Sequence, residues 1–226
     1  MSNIWHDISP KRINPNDFMM VVEIPKGSKK KYELDKETGF LMLDRILYTS
    51  THYPANYGFI PRTYGDDEDP LDVLLICSQA LEPLTLVRAY PIGVISMVDN
   101  GRKDEKIIAI GFNDPNYNNY TNIDQLPPHV FDEMRHFFKV YKNLENKETA
   151  VEEVSGPDEA IRIIDEAINR YIEIFNPQVP DTIEEFNEKI DKIKFKVKIN
   201  GDKYEITFEK NDQGNLSVSK LISVDN

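Results

Sequence analysis

The first half of the chain is a series of short apolar runs separated by turn residues. The runs cover residues 18–24, 40–48, 73–76, 84–98 and 106–110. Their composition predicts strands, several of them buried on both faces. Short strands at this spacing favour a compact β-barrel or sandwich.

The apolar period changes after Pro127 and Pro128. Residues 129–144 carry apolar side chains at helical spacing: Val130, Met134, Phe137, Phe138 and Tyr141. A second amphipathic helix is predicted to begin near Ser155 and Pro157, which suit a helix start. Its apolar positions are Ile161, Ile164, Ile168, Tyr171, Ile172 and Phe175. Both segments predict helices packed beside the strands.

A third pattern follows Pro177. The sequence from Thr182 to Glu185 is a capping box, which predicts a short helix through about residue 193. Alternating apolar residues on either side of Asn200 and Gly201 predict a β-hairpin, and residues 216–222 predict a third strand. We therefore expect a core of residues 1–178 and a small C-terminal α+β appendage of residues 179–226, whose role the sequence does not indicate.

Charge narrows the classes of partner. The chain has 27 basic and 39 acidic residues, a formal net charge of −12, which disfavours nucleic acid and anionic membrane surfaces as partners. It contains no apolar run of about 18 residues, and residues 1–10 lack the features of a secretory signal. We expect a cytoplasmic protein without a nucleic acid or membrane partner.

The segment from Asp66 to Asp72 is the strongest sign of chemistry, because it contains five acids in seven residues just before a predicted buried strand. In an extended segment Asp67 and Asp69 would point to one side, and Asp72 could turn back towards them. Three such carboxylates suit Mg²⁺ or a similar hard ion. A solvated acidic turn is the alternative. An EF-hand loop is disfavoured, since its Gly and Glu positions do not match.

A second group of acids and bases lies between Asp99 and Lys106. Taken alone, this segment is a hairpin loop between two apolar runs. The segment becomes informative only together with the other motifs of the chain.

Together these segments resemble the soluble inorganic pyrophosphatases, whose acidic signature appears here as Asp67-Glu68-Asp69-Pro70-Leu71-Asp72. Further matching motifs occur in family order: Val22-Glu23-Ile24-Pro25, Lys31-Tyr32-Glu33, Asp44-Arg45, Tyr53-Pro54-Ala55-Asn56-Tyr57-Gly58, Asp99 with Asp104 and Lys106, His136-Phe137-Phe138, and Tyr141-Lys142. The resemblance covers roughly residues 8–175, and an ordered set of motifs is far more specific than any one of them. Glu68 departs from the family pattern, which usually has a small residue there.

The resemblance implies a fold and an activity. The fold is mainly β with flanking helices (α+β), a five-stranded closed barrel of the oligonucleotide-binding type with helices packed beside it. The activity is an inorganic diphosphatase, which hydrolyses pyrophosphate to two orthophosphates by metal-activated attack of water. The implied cofactor is Mg²⁺, several ions per active site, with other divalent ions also acceptable.

The resemblance also implies residue roles. Asp67, Asp72, Asp99, Asp104, Glu23 and Glu33 would hold metal, directly or through water. Asp69, with Asp67 and Tyr57, would act in catalysis, Asp69 as the base. The substrate-binding set would be Lys31, Arg45, Tyr57, Lys106, Tyr141 and Lys142. Taken singly, most of these residues have ordinary explanations such as surface ion pairs, core aromatics or turn acids.

Two alternatives remain at the sequence level. Barrels of this type also serve as non-catalytic binding modules, against which the net charge and the acidic loop argue. The second alternative is a pseudo-enzyme whose function lies in the appendage. The presence of all the motif carboxylates and lysines argues against it. Relatives of the bacterial type form symmetric oligomers, and we expect a homo-oligomer of undetermined order.

Overall fold

A computed structural model describes residues 3–99, 101–145, 149–175, 192–199, 202–210 and 216–223. Internal contacts divide the chain into an N-terminal unit, Met1–Phe175, and a C-terminal unit, Asn176–Asn226. The N-terminal unit contains all the motifs that carry the resemblance.

Five strands of the N-terminal unit close into a barrel. They are β2 (Asp17–Ile24), β5 (Asn56–Phe59), β6 (Asp72–Ile76), β7 (Leu86–Asp99) and β9 (Lys106–Gly111). β2 pairs with β5 and β7, β5 with β6, and β9 with both β6 and β7, so that each strand has two hydrogen-bonded neighbours. Only the β6–β9 pair is parallel. The predicted closed barrel is confirmed.

Barrel membership differs from the sequence-based strands in one place. The predicted strand at 40–48 is β4 (Leu41–Ile46), which pairs with β3 (Lys30–Leu34) in a separate hairpin. Its place in the barrel is taken by β5, which contains Gly58 opposite Val22. A Cβ at position 58 would collide with the carbonyl oxygen of Val21. The close approach of β5 and β2 therefore requires glycine, which is also why β5 lacks a strand-like apolar pattern.

Short elements complete the strands of this unit. β1 (Ile13–Asn14) extends the edge at β2, while β8 (Arg102–Lys103) and β10 (Thr149–Ser155) pair with β7. Three short 3₁₀ turns lie at Pro10–Arg12, Ile123–Gln125 and Asn143–Glu145.

Two long helices cover the barrel. In α2 (Pro128–Val140) the buried side chains are Phe131, Met134, Phe137 and Phe138, in one core cluster with Leu74, Ile95 and Ile108. In α3 (Pro157–Phe175) they are Ala160, Ile163, Ile164, Ala167 and Tyr171, and the first four share a second cluster with Phe18, Val22 and Val73. The predicted apolar face of α3 is thus partly wrong, because Ile172 and Phe175 are exposed and two alanines are buried instead.

The short helix α1 (Ile4–Asp7) is held by Trp5, which is buried. The indole Nε1 donates to the carbonyl oxygen of Thr63 at 3.0 Å, and the ring stacks on Tyr64 with centroids 6.2 Å apart. Trp5 therefore anchors the N-terminal segment beside the start of the acidic segment.

The C-terminal unit contains an antiparallel sheet of β11 (Lys192–Ile199), β12 (Asp202–Lys210) and β13 (Leu216–Ser223), in that order. Ile199 pairs with Asp202, so the predicted hairpin is present. The predicted helix from Thr182 falls on residues outside the described ranges, except that Lys192 and Ile193 belong to β11 instead. Among the described residues, no helix is both long and apolar enough to cross a membrane.

Candidate active site

Strand register brings Asp72, Lys106 and Tyr57 together at one end of the barrel. The parallel β6–β9 pair places Asp72 opposite Lys106, and Phe59, two residues beyond Tyr57, lies opposite Asp72. The Tyr57 hydroxyl and the Lys106 ammonium both donate to Oδ2 of Asp72, and Lys106 also donates to Oδ1 of Asp104. Adjacent and diagonal positions on neighbouring strands thus form a buried hydrogen-bonded cluster.

The acidic segment is a turn, so the predicted extended geometry of Asp67 and Asp69 is wrong. The amide of Gly65 donates to the carbonyl oxygen of Asp69 at 2.7 Å, and the amide of Glu68 donates to that of Gly65 at 3.3 Å. The amide of Asp69 donates to Oδ1 of Asp67 at 3.1 Å. Glu68 adopts φ 71°, a left-handed conformation. These hydrogen bonds close the segment into a turn.

The turn is tightly packed around Asp67. A Cβ at Gly65 would lie 2.7 Å from Oδ1 of Asp67, so a side chain at position 65 would displace that carboxylate. Asp69 lies at the rim, where its carboxylate pairs with Lys36. The sequence-based roles did not include Lys36, although Lys36 lines the same cavity.

Glu23 and Lys31 come from the β2 and β3 side of the site. Glu23 is 6% exposed, and its Oε1 accepts from the amide of Leu34 at 2.8 Å. Lys31 donates to Glu33 and, at 3.1 Å, to Oδ2 of Asp44. Both residues face the same opening as Asp72.

These residues line one cavity of about 340 Å³. Of the predicted site residues it contains Glu23, Lys31, Glu33, Tyr57, Asp67, Asp69, Asp72, Asp104, Lys106, Tyr141 and Lys142. The last two follow α2, with the ammonium of Lys142 5.3 Å from the ring centroid of Tyr141. Motifs spread over more than a hundred positions of the sequence therefore meet at one surface.

Two predicted residues are placed differently. Arg45 does not line the cavity; its Nε donates to Glu145 at 2.9 Å and its Nη1 to Asp44. The remaining Nη2 is buried without a hydrogen-bond partner in the described part of the chain. Asp99 is the last residue of β7, paired through its backbone with Arg102, but its side chain falls outside what the structure describes.

The ionisable side chains around the cavity carry an excess of negative charge. Burial, followed by repulsion from Asp72, raises the pKa of Glu23 to about 8. Burial, with Asp72 and Asp104, raises the pKa of Asp67 to about 6, and burial also raises the pKa of Asp72. Burial would lower the pKa of Lys106, but Asp72 and Asp104 outweigh it and raise that pKa. One buried ammonium therefore does not neutralise the carboxylates around it.

The donor chemistry fits a hard divalent cation. Carboxylate oxygens that repel one another are the ligands such ions take, and a bound ion would relieve the repulsion. Within the described residues no three His, Cys, Asp or Glu side chains are already spaced as a metal site. The Lys106 ammonium lies between Asp72 and Asp104. The carboxylates of Asp67, Asp72 and Asp104 are nonetheless available around the cavity.

A closed five-stranded barrel with acids, lysines and tyrosines around one open cavity defines a barrel enzyme for a small, highly charged substrate. The chain belongs to the inorganic pyrophosphatase family, whose model matches residues 20–172. The family predicted from the motifs is confirmed, and the match ends before the C-terminal unit begins.

Named relatives agree with this assignment. The chain is 47% identical over 177 residues to soluble inorganic pyrophosphatase 2 of Chlamydomonas reinhardtii, which covers 78% of this chain and 92% of the relative. It is 49% identical over 169 residues to soluble inorganic pyrophosphatase PPA1 of Solanum tuberosum, covering 75% and 80%. A solved inorganic pyrophosphatase from Helicobacter pylori has a TM-score of 0.68 and 42% identity, covering 70% of this chain and 95% of that one.

Proposed function

We propose that the chain is an inorganic diphosphatase that hydrolyses inorganic pyrophosphate to two orthophosphates. The observation that carries the proposal is the convergence of Lys31, Lys106 and Lys142 with the carboxylates around one open cavity. A compact polyanion needs cations on both of its phosphates and an aligned water. The named activity of the relatives supports the same reaction.

Substrate binding is assigned to the basic and hydroxyl groups. Lys31, Lys106 and Lys142 act as point charges for phosphate oxygens, and the hydroxyls of Tyr57 and Tyr141 donate hydrogen bonds. Arg45 has a planar fork suited to a bidentate contact, and its buried Nη2 retains a free donor among the described groups. In this proposal the Arg45 guanidinium releases Glu145 and then binds the substrate.

The metal-holding role falls to Asp67, Asp72, Asp99 and Asp104, with Glu23 and Glu33 acting mostly through water. Mg²⁺ is the proposed ion, several per site, with other divalent ions acceptable. When bound, it supplies charge neutralisation on phosphate and a lowered pKa for the attacking water. Asp72 and Asp104 also hold Lys106 in place through their hydrogen bonds.

Asp69 is the proposed base, and Asp67 and Tyr57 support it. Asp69 is exposed at the cavity rim, where its carboxylate pairs with Lys36. An ionised carboxylate there can orient the attacking water and accept its proton. The hydrogen bond from the backbone amide of Asp69 to Oδ1 of Asp67 holds the Asp67 carboxylate beside the backbone of Asp69.

The proposal also covers the cellular location, the partners and the oligomeric state of the chain. A cytoplasmic location and the absence of a nucleic acid partner agree with the net charge of −12. A homo-oligomer is supported by a cluster of exposed apolar side chains along β4, since such patches mark interaction surfaces. They are Phe40, Met42, Leu43, Ile46 and Tyr48.

Phosphate release from pyrophosphate tests the function directly. We expect turnover with millimolar Mg²⁺ and none with excess EDTA, because Lys106 is the only protein cation between Asp72 and Asp104 in the described site and cannot replace several divalent charges. Full turnover in EDTA would contradict the metal dependence. Absence of turnover with Mg²⁺, Mn²⁺ and Zn²⁺, in a protein shown to be folded, would contradict the activity itself.

A further inference from the structure

Three cations from three different elements pair with the outer acids of the turn at residues 65–69, called here the acidic turn. Arg170 of α3 pairs with Asp66, Arg102 of β8 pairs with Glu68 at 3.1 Å, and Lys36 beyond β3 pairs with Asp69. Each outer acid is thereby drawn towards a different neighbour, while Asp67 remains on the cavity wall. Arg170 and Arg102 hold the turn from outside the cavity, whereas Lys36 lines it.

Arg170 makes the most extensive of these contacts. Its Nη1 pairs with Oδ1 of Asp66, and its Nε donates to the carbonyl oxygen of Tyr64 at 3.0 Å. The amide of Tyr64 in turn donates to the carbonyl oxygen of Ala167 in α3 at 3.0 Å. One side chain thus holds both the backbone that enters the turn and its first carboxylate.

Exposure separates Arg170 from the other two cations. The Arg170 side chain is 34% exposed, against 53% for Arg102 and 47% for Lys36. Solvent and salt weaken exposed pairs most, and such pairs contribute little. A less exposed guanidinium with two fixed acceptors restricts the turn more strongly than either of its counterparts.

We propose that Arg170 is a positioning residue, which fixes the entry of the acidic turn on α3 so that Asp67 faces the cavity before any cation or substrate arrives. Preorganised ligands bind more tightly because less ordering remains to be done on binding. Arg170 itself does not line the cavity and touches neither metal nor substrate in this scheme. The proposal builds on the cation-dependent hydrolysis above, but its first test does not need that activity.

The variant Arg170→Ala removes both contacts, and Arg162→Ala is its matched control. Arg162 lies on the same helix, and both of its described ion pairs are with residues of α3, Glu159 and Glu166. Arg170→Lys restores a charge for Asp66 without the forked geometry that also reaches Tyr64. Asp66→Asn weakens the ion pair while leaving Arg170 in place, and serves if Arg170→Ala does not fold.

Amide hydrogen exchange on the metal-free proteins is the first readout. The amides of Gly65 and Asp69 should exchange about three- to tenfold faster in Arg170→Ala, the scale of one lost hydrogen bond. Arg162→Ala should leave them unchanged, and Arg170→Lys should fall between. Unchanged exchange of both amides in a folded Arg170→Ala protein, or in Asp66→Asn where that variant replaces it, would overturn the proposal.

Calorimetric titration with Mg²⁺ is the second readout, without pyrophosphate. We expect Arg170→Ala to bind Mg²⁺ about three- to thirtyfold more weakly, and to need correspondingly more Mg²⁺ for half-maximal turnover, with kcat at saturating Mg²⁺ near that of the parent. A lowered kcat with unchanged Mg²⁺ affinity would overturn the positioning role. If the parent protein shows no turnover at all, the proposed function fails, while exchange and titration still decide the role of Arg170.

Discussion

Asp72 is the carboxylate on which the hydrogen bonds of the cavity converge. It accepts from Tyr57 and Lys106 and faces the repulsion of Asp104. Asp72→Asn removes the negative charge that holds Lys106, and places an amide donor beside existing donors. We expect a loss of at least about 10²-fold in kcat, the scale for removal of a preorganised electrostatic group. Phosphate release at saturating Mg²⁺, with circular dichroism to verify folding, measures this.

Glu68→Gly is the matched control within the acidic turn. Glu68 points outward to Arg102, and its φ of 71° is one that glycine adopts without strain. We expect activity within a few-fold of the parent, because an exposed ion pair contributes little. A loss as large as that of Asp72→Asn would make Glu68 a metal ligand and contradict the placement of the site.

Side-chain chemistry near the cavity was largely predictable, and side-chain geometry was not. Eleven predicted residues line the cavity because their motifs state residue type and order. The turn at Asp67 escaped prediction, since its backbone bonds depend on Gly65 folding back on Asp69. Arg170 lies 104 positions from Asp66, so no local pattern in the sequence connects them.

At the scale of elements, α1 is joined to α3 through a histidine. Nδ1 of His6 lies 2.7 Å from the hydroxyl of Tyr171, and the ring packs against Trp5 and Phe175. Burial, followed by the nearby charge of Arg62, lowers the pKa of His6, with Asp7 acting in the opposite direction. The surroundings of His6 therefore favour the neutral imidazole.

The lowered pKa of His6 predicts a loss of stability in mild acid. An unfolded histidine takes up a proton near pH 6.5, whereas folded His6 does so only at lower pH. The free energy of unfolding should fall as pH decreases through about 6.5 towards the folded pKa, and level off below it. Urea unfolding at several pH values, for the parent and for His6→Gln, should show a smaller decrease in the variant. Equal pH dependence of the two proteins would contradict the lowered pKa.

Elements were predictable where the apolar period is long and uniform. The cores of α2 and β7 follow from such patterns. β5 was missed because Gly58 is selected by the approach of Val21, a tertiary contact. The buried face of α3 was misjudged because Ala160 and Ala167, small residues that a search for large apolar side chains passes over, are fully buried in the core.

The whole molecule combines a family core with an additional C-terminal unit. The family match ends at residue 172, and the C-terminal unit carries its own three-stranded sheet. Val218, Leu221 and Ile222 of β13 are exposed, and a sheet this small is marginal alone. The assignment of residues 179–226 as a separate appendage remains a prediction.

Truncation after Pro177 tests that assignment. We expect hydrolysis per active site to be kept, because every predicted site residue precedes the cut, while solubility, thermal stability or assembly size changes. Specific activity and solution mass by light scattering measure these properties. A truncated protein that folds and assembles as the parent does, yet lacks activity, would show that the C-terminal unit contributes to catalysis.

The position of Trp5 gives the molecule a built-in optical reporter. It is the only tryptophan in the sequence, and it touches Thr63 and Tyr64 immediately before the acidic turn, with the ammonium of Lys36 5.8 Å from its ring. Intrinsic tryptophan fluorescence therefore comes from one place, next to the proposed ion-binding loop. Because the C-terminal unit contains no tryptophan, its unfolding adds no second tryptophan signal, and the emission comes from Trp5 alone without a label.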